Sequence, residues 1–355
     1  MKILFRLDAR SEIGLGHFVR CENLAESLLE YGYQVYFLMN KEAPAPSNPR
    51  IQVAHVEPKV GLYEINPMST KKWLGHDEVD DALQTLQICK NEGISNVIAD
   101  HYALGFEWSN LIITCDIKLI FINDLLDKNL NCTAVIDATF GRRTYHYNDI
   151  VEDSCELICG ERYSILNANY LKFKNKPFVV NNTVNKILIC FGGSDRNNLT
   201  EICADYLLQN FEDVEVVVII GRINTRINEL KSKFMKNPHV TFLHDVPDMW
   251  NWYSMSDICI GAGGTMCAER AYIGIPSIII TTAENQFGNA KYLHSKNAAS
   301  YVGHWEDGSL MENFDVNLKS LFSRENRLLL SMNGRRLVGK NPTQQLIGKI
   351  NGIFA

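Results

Sequence analysis

The sequence predicts an α/β protein of two successive domains, each a mostly parallel sheet covered by helices. Short apolar strands alternate with segments of helical period in both halves, the pattern of repeated βα units. Strands repeatedly end in glycine or in polar clusters, as they do where an open parallel sheet gathers its functional groups. At 355 residues, 46% hydrophobic and 21% charged, the chain has the size and composition of a two-domain globular protein. A formal net charge of −6 with no basic stripe excludes a general nucleic-acid binder and leaves a small molecule as the expected partner.

The first strand, residues 2–7, ends at Asp8-Ala9-Arg10. From Phe18 onward apolar residues recur at 18, 21, 24, 25, 28 and 29, which predicts a helix over residues 17–31. The stretch Ile13-Gly14-Leu15-Gly16-His17-Phe18-Val19-Arg20 therefore joins a strand to a helix. Gly14 and Gly16 carry no Cβ to keep a ligand from the backbone, and the free N–H groups of a helix start favour negative charge there. His17 falls in the first turn, where the helix dipole disfavours imidazolium, so a neutral ring able to act as a general base is expected.

Next come a strand over residues 34–39 and a less regular, proline-rich stretch over 43–58. A helix over residues 80–92 leads to a strand over 96–99 that ends in Asp100-His101-Tyr102, and a strand over 118–122 ends in Asn123-Asp124. These clusters and the glycine loop are expected to share one crevice at the carboxyl ends of the strands. The acidic run His76-Asp77-Glu78-Val79-Asp80-Asp81 sits where a helix begins, and it reads as a solvated helix start rather than a cation site.

The polar, basic stretch KFKNKPFVVNNTVNK over residues 172–186 marks a domain boundary, giving domains over 1–178 and 186–340 and a closing helix over 341–355. Further strands are expected over 187–191, 214–220, 240–243, 258–260 and 277–280, with helices between them. Two of these strands run into glycine loops, Phe191-Gly192-Gly193-Ser194-Asp195 before a helix from about residue 197, and Gly261-Ala262-Gly263-Gly264-Thr265 before a helix carrying Glu269. Two such cradles in one domain suit a diphosphate and its sugar. The Gly-Lys-Ser/Thr ending of an ATP-binding loop is missing, and Val19 and Asn40 stand where a dinucleotide site needs a small residue and an acid.

The longest strongly apolar runs, residues 214–220 and 275–280, fall far short of the ~20 residues that span a bilayer, so no membrane insertion is expected. The chain opens on a core-like strand without a basic lead or cleavage site, which predicts a cytoplasmic location, and a monomer is the expected state. The 10 cysteines are scattered without paired metal-site spacing and read as buried reduced thiols. The basic residues Arg335, Arg336 and Lys340 read as a solvated helix face.

Taken in order, residues 13–17, Asp100-His101-Tyr102, residues 160–166, Cys190-Phe191-Gly192-Gly193-Ser194-Asp195, residues 261–265 with Glu269, and Ala283-Glu284-Asn285-Gln286 resemble the UDP-sugar hydrolases of pseudaminic acid biosynthesis. That family releases UDP and the free sugar from UDP-2,4-diacetamido-2,4,6-trideoxy-β-L-altropyranose. The likeness runs from residue 1 to about residue 300, whereas the second-half loops are shared with the wider two-domain nucleotide-sugar glycosyltransferases. It implies a GT-B-like fold, two Rossmann-like domains with mostly parallel sheets facing a central cleft. By the same resemblance His17 activates the attacking water and Glu269 binds the ribose hydroxyls, while Gly192, Gly193, Ser194, Gly263, Gly264 and Thr265 hold the diphosphate. The resemblance also implies that Asn285 and Gln286 lie near the phosphates and that Asp100, His101 and Tyr102 line the sugar side; Gly14, Gly16, Asp8, Arg20, Asp124 and Asn167 are further substrate-binding candidates of this chain.

The family cleaves the anomeric C–O bond with inversion and needs neither metal nor cofactor. This suits the chemistry, because UDP departs as an already ionised diphosphate and asks for phosphate stabilisation and a base rather than a carboxylic acid. The chain departs from the family pattern at Asp137-Ala138-Thr139, at Asn167 and at Asn123-Asp124, all on the sugar side. A glycosyltransferase using a UDP-amino sugar and a non-catalytic sugar-nucleotide binder are the alternatives on the same fold.

Overall fold

A computed structural model of the chain describes residues 1–9, 15–57 and 74–355. It divides into two compact units, one of Met1–Ala168 with Asn341–Ala355 and one of Asn169–Lys340.

In the first unit the strands are β1 (Lys2–Leu7), β2 (Gln34–Met39), β3 (Gln52–His55), β4 (Asn96–Asp100), β5 (Lys118–Ile122), β6 (Ala134–Asp137) and β7 (Glu156–Cys159). They form one parallel sheet in the order β3-β2-β1-β4-β5-β6-β7. Both faces are covered, which is why β1 is apolar at nearly every position rather than alternating. Ile3, Phe5 and Leu7 pack with α1 (Gly16–Glu30) and with the C-terminal helix (Pro342–Phe354) through Leu346, Ile347, Ile350, Ile353 and Phe354. Leu4 faces the other way, into a core with α2 (Glu78–Glu92) and α3 (Phe106–Ile113).

Arg6 lies on that second face and is fully buried. Its guanidinium meets Asp81 of α2 at 2.5 Å and Asp8 at 2.7 Å. Asp81 also accepts from Trp108 Nε1 at 2.9 Å and contacts His76 Nε2 at 2.9 Å. The expected solvated helix start is therefore only half right. Asp77 does cap α2 by accepting from Asp80 N, but His76 and Asp81 are buried, because an arginine on the inner face of β1 needs a carboxylate from the helix packed over it.

The second unit holds β8 (Lys186–Cys190), β9 (Glu215–Ile220), β10 (Val240–His244), β11 (Ile258–Ala262), β12 (Ser277–Thr281) and β13 (Ser300–His304), a parallel sheet in the order β10-β9-β8-β11-β12-β13. Its helices are α4 (Leu199–Asn210), α5 (Ile227–Phe234), α6 (Met249–Met255), α7 (Met266–Ile273), α8 (Phe287–Ser295), α9 (Leu310–Ser320) and α10 (Arg324–Val338). Residues 169–178, expected in the first domain, belong here: Tyr170 packs on Trp250 and Tyr272, and Phe173 O accepts from Arg335 Nη2 at 3.2 Å. Arg335 also donates to Ile273 O at 2.9 Å, so it joins α10 to α7 instead of standing on a solvated face. Among the described residues no helix is long and apolar enough to cross a membrane.

Candidate active site

In the first unit the candidate residues gather at the carboxyl ends of β1, β4 and β5. His17 is the second residue of α1, whose N-cap Leu15 makes no side-chain hydrogen bond to the first turn. The imidazole is buried and stands edge-on to Tyr102, with ring centroids 4.4 Å apart and planes at 86°. Its Nδ1 is buried without a hydrogen-bond partner among the described residues. Burial pulls its pKa down to about 4, against the attraction of Asp100 and with a further push from Arg20, so the ring is neutral at pH 7. Arg20, one turn along α1, grips Asp100 through Nε and Nη2 at 2.5 Å each and Asp124 through Nη1 at 2.9 Å. Tyr102 hydrogen-bonds Asp124 and closes the frame around His17.

The other sugar-side candidates fare differently. Asp8 is fully buried, and its oxygens accept from Arg6, from Asn40 N at 2.7 Å and from His101 Nε2 at 3.1 Å. Burial works against its ionisation, but Arg6 and the His101 hydrogen bond outweigh it and set the carboxyl at about 2. His101 Nδ1 accepts from Ala103 N at 3.0 Å, which fixes the proton on Nε2 of a neutral ring. Asp8 and His101 thus brace the strand ends, with polar atoms hydrogen-bonded within the first unit. Asn167 donates to Asn23 and Glu26 further along α1, at 3.1 and 3.2 Å. Gly16 opens α1 with empty space where a Cβ would stand, and Gly14 lies outside the described residues. Lys128, which no motif flags, donates to Tyr102 O from a loop after β5, and burial lowers its pKa.

In the second unit both glycine loops leave the carboxyl ends of central strands. After β8, Gly192 takes a φ of 84°, in the region that favours glycine. Gly221, at the end of β9, has no room for a side chain, since a Cβ there would overlap the backbone of Gly192 and Gly193. That third glycine supports the loop and was not singled out, because a lone glycine after a strand carries no pattern. The helix behind the loop starts at Leu199 rather than near 197: Asp195 accepts from Leu199 N and Thr200 N, and Asn198 has a φ of 56°. Ser194 lies between Gly193 and this capping aspartate.

After β11, the loop Gly263-Gly264-Thr265 runs into α7 with Thr265 as its N-cap. Gln286 Oε1 accepts from Gly263 N at 3.2 Å and Thr282 N at 2.9 Å, so Gln286 ties the loop to the end of β12. Asn285, its neighbour, lies in the same short turn before α8. Glu269, on α7, accepts from Tyr170 OH at 2.7 Å, and burial raises its pKa. Tyr170 is itself buried against Trp250, so the carboxylate is held by a tyrosine that no sequence pattern links to it.

The model of the Glycosyltransferase family 28 C-terminal domain matches residues 187–334, the stretch that carries both glycine loops and Glu269. The fold, two parallel-sheet α/β units of 7 and 6 strands, matches that of GT-B glycosyltransferase structures. The crystal structure of Acinetobacter baumannii MurG aligns over 99% of this chain and 100% of its own, with a TM-score of 0.65 and 15% identity. Among sequence relatives, the spore coat polysaccharide biosynthesis protein SpsG of Bacillus subtilis is 23% identical over 93% of this chain and 92% of its own length. The UDP-2,4-diacetamido-2,4,6-trideoxy-beta-L-altropyranose hydrolase of Campylobacter jejuni is 24% identical over 56% of this chain and 63% of its own. An uncharacterized protein of Methanocaldococcus jannaschii is 24% identical over 81% of this chain, which spans 57% of that protein's length.

Proposed function

We propose that this chain is an enzyme acting on a UDP-sugar, and that it hydrolyses the anomeric C–O bond to give UDP and the free sugar with inversion. The second unit binds the nucleotide, with Gly192, Gly193, Ser194, Gly263, Gly264 and Thr265 on the diphosphate and Glu269 on the ribose. The first unit supplies the base. The observation that carries this reading is His17: a buried neutral imidazole at a helix start, framed by Tyr102, Arg20, Asp100 and Asp124. The ring takes a proton from water as the water oxygen bonds to the anomeric carbon, and the electron pair of the C–O bond leaves with the β-phosphate of UDP. No protonation of the leaving group is required. The substrate proposed is UDP-2,4-diacetamido-2,4,6-trideoxy-β-L-altropyranose or a close relative, in line with the name of the Campylobacter jejuni relative.

A proton NMR time course over a panel of UDP-diacetamido sugars tests this. Free sugar of inverted anomeric configuration should appear in buffer alone. A transferase is the second reading, favoured by the family 28 match over residues 187–334. Intact UDP-sugar in buffer, with UDP released only when an acceptor alcohol is added, would replace hydrolysis by transfer.

A further inference from the structure

The guanidinium of Arg270, on α7, is unused in this scheme, and its donors are less fully met than those of Arg6. Arg6 meets two carboxylates. Arg270 is 1% exposed, and its Nη2 donates to Ala262 O at 2.6 Å and Cys267 Sγ at 3.2 Å. Its Nε and Nη1 are buried without hydrogen-bond partners among the described residues. Buried guanidinium donors left without acceptors are costly to an empty protein, so keeping two of them points to acceptors that arrive with a ligand.

The position of Arg270 indicates which anion. At the end of β11, Gly261 lacks the Cβ that would overlap both Arg270 Nη1 and Cys190 O, the last carbonyl of β8. The guanidinium therefore lies under the roots of both glycine loops. It also grips one peptide group from one side: Arg270 holds the carbonyl of Ala262, while Gln286 holds the N–H of Gly263 in the same peptide unit.

We infer that Arg270 is a positioning residue for the diphosphate of a bound nucleotide. With Gln286 it clamps the Ala262–Gly263 peptide that sets the course of Gly264 and Thr265 into α7, and its positive charge lies beneath the loops that receive the phosphates of the ligand. The inference rests on the reading of the second unit as the nucleotide-binding one. It assigns Gln286 to the loop rather than to direct phosphate contact.

Calorimetric titration of UDP and of uridine separates the phosphate contribution from the rest. Arg270→Met should weaken UDP at least about tenfold, the usual scale of a lost charged contact, and leave uridine within about twofold. Arg270→Lys keeps the charge without the planar fork and should hold UDP within about fivefold of the parent. Gln286→Ala removes the other side of the clamp from a partly exposed turn and should also weaken UDP selectively; with Arg270→Lys it carries the comparison if Arg270→Met does not fold. Equal losses of UDP and uridine, or unchanged UDP affinity in these variants, overturn the inference alone. A parent protein that binds neither ligand overturns the nucleotide reading and the inference together.

Discussion

His17 ties activity and stability to pH in opposite parts of one argument. The base works when neutral, and its folded pKa of about 4 lies below the ordinary 6.5. Turnover per enzyme should stay level from pH 8 to 6 and decline only as pH approaches 4, which a kcat/KM profile will reveal. Between 6.5 and 4 the unfolded chain binds a proton that the folded chain refuses, so folding stability from this group rises with pH across that window and is complete above it. His17→Gln should flatten that slope in urea titrations and lower kcat by about 10²–10⁴ while UDP binding stays the same. Tyr170→Phe removes the hydroxyl held by Glu269, and a loss of about 0.5–1.5 kcal/mol in UDP affinity is expected, absent for 2′,3′-dideoxy-UDP. His17 could be found from sequence because flanking glycines and a helical period isolate it. Tyr170 could not, since its contact to Glu269 spans 99 positions and neither residue lies in a pattern that names the other.

Elements were legible wherever period and punctuation agreed. The strands β1, β2, β4, β5 and β8 fall within a residue or so of their expected spans, because each is an apolar run between polar ends. The strand β3 was hidden in the proline-rich stretch, since an edge strand with exposed Gln52 and Val53 needs little apolar signal. The short β6 and β7 gave too few residues for a period. Charge patterning misled at α2, where Asp81 looks solvated in sequence but answers Arg6 inside the core. Asp81→Asn leaves that arginine without one of its two carboxylates and should cost about 3–5 kcal/mol in urea unfolding, whereas Asp77→Ala at the exposed cap should cost only ~1. At the other sheet, Gly221→Ala drives a methyl into the Gly192-Gly193 backbone. A penalty of about 1–3 kcal/mol with weakened UDP binding is expected, and a variant as stable as the parent would remove Gly221 from the loop's support.

At the scale of the molecule, the first unit is assembled from two distant parts of the chain. Leu346, Ile347, Ile350, Ile353 and Phe354 belong to the core that contains β1 and α1, and Thr343 Oγ1 accepts from Leu166 N at 2.9 Å. Each such apolar side chain contributes about 1.5–3 kcal/mol when buried. Ending the chain at Lys340 should therefore leave the first unit open to protease, while a short linker joining Ala168 to Asn341 should restore its resistance. The sequence set 341–355 apart as a helix but gave no sign of its destination, because an amphipathic face does not say which sheet will cover it. That return has a consequence for synthesis on the ribosome. At about 5–20 residues per second the whole of Asn169–Lys340 takes roughly 10–35 s to be made, and throughout that interval one face of the first-made sheet has α1 but lacks the closing helix. The order of birth and the order of completion are thus reversed: the second half can finish folding before the first, and the core around Ile3, Phe5 and Leu28 stays incomplete, open to chaperones, until the closing helix emerges.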